Sequence, residues 1–101
     1  MSTRFEWDPA KERANRRKHG LDFRFATRAF ADPLAVVVQD RIEGGELRWR
    51  TTGMVGGGIV VVVAHSIEDD DPRGEVIRII SARSATRSER RRYEEERRRY
   101  L

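Results

Sequence analysis

Apolar and polar positions fall into two regimes along the chain, helical in the first third and strand-like in the middle. Phe5-Glu6-Trp7 alternates and predicts a short edge strand. Asp8-Pro9 is a helix start, a carboxylate cap followed by proline at the first helical position. That helix should run to about Lys18-His19 and stop at Gly20, with Ala10 and Ala14 as a small apolar stripe. Asp22 is placed to cap a second helix in which Phe23, Ala26 and Phe30 share one face, and Asp32-Pro33 ends it. From Leu34 the spacing changes. Residues 34–39 predict a strand, Gly44-Gly45 a turn, and then Leu47, Trp49, Thr51 and Gly53 alternate with Glu46, Arg48, Arg50 and Thr52. Gly56-Gly57-Gly58 predicts a hairpin connection. Residues 59–65 are apolar on both faces, the pattern of a central strand. A loop at 69–74 precedes a last strand at 76–83, and Thr86 with Glu89 forms a capping box ahead of a final helix. The predicted order is β-α-α-β-β-β-β-α, an α+β fold with a mostly antiparallel sheet, in a single domain over residues 1–101.

Composition narrows the chemistry. The chain has 101 residues, enough for one core. Cysteine is absent, which excludes disulfides, thiolate metal centres and a thiol nucleophile. The apolar run 59–64 is far shorter than the ~20 residues of a membrane span. No apolar segment opens the chain, so an intracellular, cytoplasmic protein with no membrane association is expected. Glycine-rich nucleotide fingerprints are missing. Asp69-Asp70-Asp71 lacks the spacing of a calcium loop, so neither metal nor other cofactor is expected.

Lys and Arg number 21 against 17 Asp and Glu, a net charge of +4, and all but Lys11 and Lys18 are arginine. The charge is segregated: residues 1–20 hold six cations and three anions, 83–101 eight and four, and 66–75 five anions and Arg73. Guanidinium forks bind phosphate bidentately, so this surface suits a nucleic-acid backbone. Arg48 and Arg50, two apart on one strand, should share a face, and Arg78 joins them if it points the same way. The plain alternative is a solvated polar face. Metal-free RNA cleavage needs a proton acceptor, a proton donor and stabilisation of the phosphorane charge. His65, at the end of the buried run, is the candidate proton carrier; a structural strand-end histidine is the alternative. His19 reads as a helix-end residue. In the last helix, Arg90 to Arg92, Glu94 to Glu96 and Arg97 to Arg99 are spaced for ion pairs that support an exposed helix. Such a helix also suits docking to a partner.

Taken together, Phe5-Glu6-Trp7-Asp8, Lys11, Asn15, Lys18-His19-Gly20, Phe23, Ala26, Phe30 and Asp32-Pro33 resemble the opening signature of the BrnT family. Leu47-Arg48-Trp49 with Gly53 is similar to its second segment. The stretch 77–83, with Ala85-Thr86 and 89–94, is similar to its third. The likeness spans about residues 4–96. It departs at Leu47, where the family commonly has glutamate, and at Glu68, near which it often has arginine.

The resemblance implies a RelE-like fold and the toxin half of a bacterial type II toxin–antitoxin pair. Such a toxin is a ribonuclease that inhibits translation. It is neutralised in a hetero-oligomer with a BrnA-like antitoxin, which alone brings operator DNA. Carried onto this chain, it gives a metal-independent endoribonuclease. Arg48 and Arg83 would be phosphate clamps and His65 the proton carrier. Lys11, Lys18, Arg50 and Arg78 would bind the RNA substrate. The alternative is a non-catalytic basic domain that binds nucleic acid or a partner.

Overall fold

A computed structural model describes residues 2–70 and 72–100. Strand β1 (Ser2–Glu6) leads into helix α1 (Pro9–His19), helix α2 (Phe23–Thr27) and a 3₁₀ turn over Arg28–Ala31. Strands β2 (Val36–Glu43), β3 (Glu46–Val55), β4 (Ile59–Asp70) and β5 (Gly74–Ser84) follow, and α3 (Arg87–Arg98) ends the chain. The five strands form one sheet in the order β1-β5-β4-β3-β2. Only β1 runs parallel to its neighbour, and β4 is central, as its two-sided apolar run predicts. Among the described residues, no helix is long and apolar enough to cross a membrane.

Local chemistry sets the helix ends. Asp8 accepts a hydrogen bond from Ala10 N, with Pro9 inside the first turn, and Gly20 closes α1 at φ 74°. Asp22 accepts from Phe25 N at 2.6 Å. Thr86 and Glu89 satisfy each other's backbone donors at the start of α3. The second helix is shorter than its apolar spacing suggests, because the chain tightens into the 3₁₀ turn after Thr27. The first strand after it begins at Val36 instead of Leu34, since Asp32 folds back to accept from Leu34 N. Its polar second half, through Asp40 and Arg41, is carried past a register shift in the ladder. The three glycines after β3 make the tight connection to β4, with Gly57 and Gly58 at φ 83° and 84°, where only glycine sits without strain.

One face of the sheet carries α1, α2 and the 3₁₀ turn. Phe23, Ala26 and Ala29 pack there against Val55, Val61, Val63, Ile77, Ile79 and Ala82. Gly53 is required at this contact: a Cβ would collide with the carbonyl oxygen of Ala29. Ala10 and Ala14 do not form the expected stripe, for both are exposed and α1 is seated by Asn15 instead. Strand β1 covers β5 only as far as Arg78. Beyond that point the Asn15 amide takes the place of a strand, donating to Ala82 O (2.9 Å) and accepting from Ala82 N (3.1 Å). It also donates to Leu21 O (3.1 Å), which fixes the turn after α1.

Helix α3 lies on the other face. Tyr93 is its one buried residue, and Arg97 reaches Met54 Sδ. Asp32 ties this helix to the rest of the molecule. It accepts from Met54 N (2.7 Å) and from the Tyr93 hydroxyl. Burial pushes its carboxyl upward, but these bonds, that from Leu34 N and the nearby Arg97 hold it below the usual carboxylate range.

Candidate active site

Strand alternation and the ladder register put Arg48, Arg50, Arg78 and Arg83 on one face, the one that α3 partly covers. Thr52 on β3 pairs with Val62, which pairs with Arg83 on β5. One step along, Arg50 pairs with Ala64 and that with Ser81. One step further, the pairing of Trp49 with His65 sets Arg48 beside Ser66, and Ser66 pairs with Arg78. One strand, β4, separates Arg48 from Arg78, two inter-strand spacings or ~10 Å between Cα atoms, so their side chains can close over Ser66 from both sides.

The four arginines are not equally available. Arg50 has no ion pair among the described residues. Arg48 sits 3.6 Å from Glu46 with its side chain 19% exposed. Its Nε is buried without a hydrogen-bond partner, and so is Ser66 Oγ in the neighbouring strand. Arg78 makes a 3.1 Å pair with Glu6 across the parallel ladder, with both side chains well exposed. An exposed pair of that kind contributes ~0–1 kcal/mol and yields readily to a phosphate.

Arg83 differs from expectation. Its Nη1 and Nη2 donate to the two carboxylate oxygens of Glu89 at 2.7 and 2.9 Å, so the fork expected to clamp phosphate is closed on the protein itself. The guanidinium beside it, with the Thr86 backbone bond, holds Glu89 at about 2 despite partial burial. Glu89 is therefore anionic throughout the neutral range and a poor proton acceptor.

His65 is not at a cleft. It is 1% exposed and points to the helix-bearing face, where the Phe30 ring meets it edge-on at 5.0 Å. Its Nδ1 lies 3.2 Å from Ser66 O and its Nε2 2.7 Å from Thr51 Oγ1. A carbonyl only accepts, so Nδ1 carries the proton and Nε2 accepts from the Thr51 hydroxyl. Desolvation pushes the imidazole below its ordinary value, against a smaller opposing effect from the Ser66 bond. The proton-carrier role expected for His65 is corrected on this ground: it is a neutral core residue whose ring nitrogens are both engaged. The buried run before it gave no sign of which face position 65 takes.

Lys11 and Lys18 are exposed and share with Asn15 the α1 stripe that meets β5, so they flank the sheet edge and are not on the arginine face itself. Asn15 and Asp32 are the functional-motif residues whose roles the spacing alone did not reveal. Both complete broken ladders. Between β2, β3 and α3 lies a cleft of about 350 Å³ lined by Val36, Val38, Arg50, Thr52, Arg92 and Tyr93, among others.

The architecture has a counterpart among solved structures. The crystal structure of the Brucella abortus ribonuclease toxin, BrnT, aligns with a TM-score of 0.64 and 26% identity, covering 86% of this chain and 100% of that one. No curated protein matches the chain. The family model for the ribonuclease toxin BrnT of type II toxin–antitoxin systems matches residues 7–89, which include α1, the whole of β2 to β5 and the Thr86–Glu89 cap. With most of its length accounted for in this way, the chain belongs to the BrnT family of ribonuclease toxins of type II toxin–antitoxin systems.

Proposed function

We propose that the chain cleaves single-stranded RNA without a metal ion, on the sheet face that carries Arg48, Arg50 and Arg78. The observation that carries this reading is the row Arg48–Ser66–Arg78, with Arg50 beside it and two buried polar atoms, Arg48 Nε and Ser66 Oγ, lacking protein partners. Cations converging on one row supply the charge compensation that a pentacovalent phosphorus needs. In this reading the 2′-hydroxyl attacks the adjacent phosphorus as its proton passes to solvent water, the bond from phosphorus to the 5′-oxygen breaks, that oxygen takes a proton from water, and a 2′,3′-cyclic phosphate results. Glu89 is too acidic and His65 too deeply enclosed to take the proton, so the face contributes electrostatic stabilisation and in-line positioning. Lys11 and Lys18 extend the cationic track past the β5 edge. Arg83 acts through Glu89, fixing the start of α3. A BrnA-like antitoxin neutralises the toxin by binding it.

The test is RNA cleavage by the purified chain with and without EDTA. Arg50→Ala should lower kcat/KM ~10–100-fold, the effect of losing one charge-assisted contact, while the thermal melt stays in place. Activity abolished by EDTA would overturn the metal-free mechanism. RNA bound with normal affinity but left uncut would favour a non-catalytic binding domain, a reading to which the closed Arg83 fork lends some support. Co-expression with the antitoxin should restore growth.

A further inference from the structure

We infer that the cleft between β2, β3 and α3 is a nucleobase subsite for the RNA whose backbone is held by the neighbouring arginines; the inference rests on the ribonuclease reading above. Three features make the cleft fit a planar heteroaromatic ring. Its sheet side includes the apolar Val36 and Val38, and the Tyr93 ring lines it from α3. Its volume of about 350 Å³ is of the size that accepts a single small ligand such as one nucleotide. Arg50 and Arg92 stand at its rim, and neither has an ion pair among the described residues. Guanidinium planes stack on bases, and aliphatic or aromatic floors hold the opposite face.

The placement also sets the strand's path. Arg50 belongs both to the cleft and to the phosphate-holding row, since Arg48 is two residues away on the same face of β3. A phosphate held between them leaves an adjoining base at the cleft mouth. Val38 is 41% exposed and lines the cleft beside Val36, so it offers apolar surface for the face of a base to cover. Glu96, on the α3 wall, is paired through Oε1 with Arg99 at 3.3 Å and keeps its other carboxylate oxygen as an acceptor, which favours a base with an exocyclic amino group over uracil.

The test uses short single-stranded RNA with 2′-deoxy substitution, which the proposed attack cannot cleave, so that binding is read apart from catalysis. An abasic residue is moved along the oligonucleotide one position at a time. The expected result is a loss of about ten-fold in affinity at one position and little elsewhere. In Val38→Trp, which fills the cleft, that position should become indifferent to the base. Arg92→Glu, a change on an exposed helix face, should reduce the same penalty even if the tryptophan variant fails to fold. An abasic scan that is flat while binding stays tight would overturn the subsite and leave the ribonuclease reading standing. No binding of any oligonucleotide would overturn both. A Val38→Trp chain that keeps the abasic penalty but loses its antitoxin would give the cleft to the protein partner and overturn the subsite.

Discussion

Replacing Tyr93 by phenylalanine isolates the link that holds α3 to the sheet. The substitution keeps the buried ring and removes only the hydroxyl that donates to Asp32, whose other bonds, from Met54 N and Leu34 N, remain. Two quantities bear on it, the worth of the lost bond and the penalty on the ionised phenol. Burial, reinforced by the Asp32 carboxylate, pushes the Tyr93 phenol from 10.0 up to about 12. A shift of that size corresponds to ~2.7 kcal/mol favouring the neutral form. Independently, a buried hydrogen bond to a charged acceptor contributes ~1.5–3 kcal/mol. The bond places the cost of Tyr93→Phe at ~1.5–3 kcal/mol, or a fall in Tm of roughly 6–24 °C for a domain of this size, while the shifted phenol sets the alkaline pH dependence. The pH dependence has a definite sign. Because the folded value lies above the unfolded one, the stabilisation is complete below pH ~10 and drains away as pH rises toward ~12, with about half gone near pH ~11. Equilibrium denaturation at several alkaline pH values should show this slope in the parent chain and not in Tyr93→Phe. A Tyr100→Phe background leaves Tyr93 as the only phenol, so its ionisation can be followed by absorbance. A cost below ~0.5 kcal/mol, or equal alkaline slopes in both chains, would refute the reasoning.

Two further outcomes are expected. Asn15→Ala removes three hydrogen bonds and leaves the Ala82 backbone unpaired in a buried setting, so denaturant unfolding should show a loss of about 2–4 kcal/mol; a loss under ~1 kcal/mol would mean water or a shifted α1 replaces the amide. Glu68 is exposed and shares the arginine face with Ser66 on alternate positions of β4, so Glu68→Arg should tighten RNA binding at low salt and steepen its salt dependence by about one unit of slope, with stability changed by less than ~0.5 kcal/mol; unchanged affinity would move the RNA path away from β4.

The parts of this fold that were legible in the sequence are those whose partners lie within a few residues. Asp8, Asp22, Gly20 and the Thr86–Glu89 box each act on the backbone next to them, and strand alternation alone places Arg48 and Arg50 together. The element order follows from the same short-range signals, and the resulting fold is similar to the crystal structure of the Brucella toxin. What stayed hidden depends on distance along the chain. Asn15 meets a residue 67 positions away, and Asp32 meets Tyr93 at a separation of 61. Neither partner can be chosen from spacing. The place of His65 is hidden for a related reason: the run before it is buried on both faces, so only Phe30 and Thr51, brought in by other elements, reveal where the ring goes. The ion pairing of Arg83 is a matter of competition, since the sequence does not say which carboxylate claims which guanidinium.

Glu89 deserves separate treatment in any mutational survey. One carboxylate closes the first turn of α3, neutralises Arg83 and is among the residues lining the cleft between β2, β3 and α3, and it stays ionised down to about pH 2. Removing it would fray a terminus, free a cation and reshape a cavity at once. A dead variant at this position would look like the loss of a chemical group, although none of those three duties is chemical. Only a comparison of folding, affinity and turnover in the same variant would separate scaffolding from reactivity.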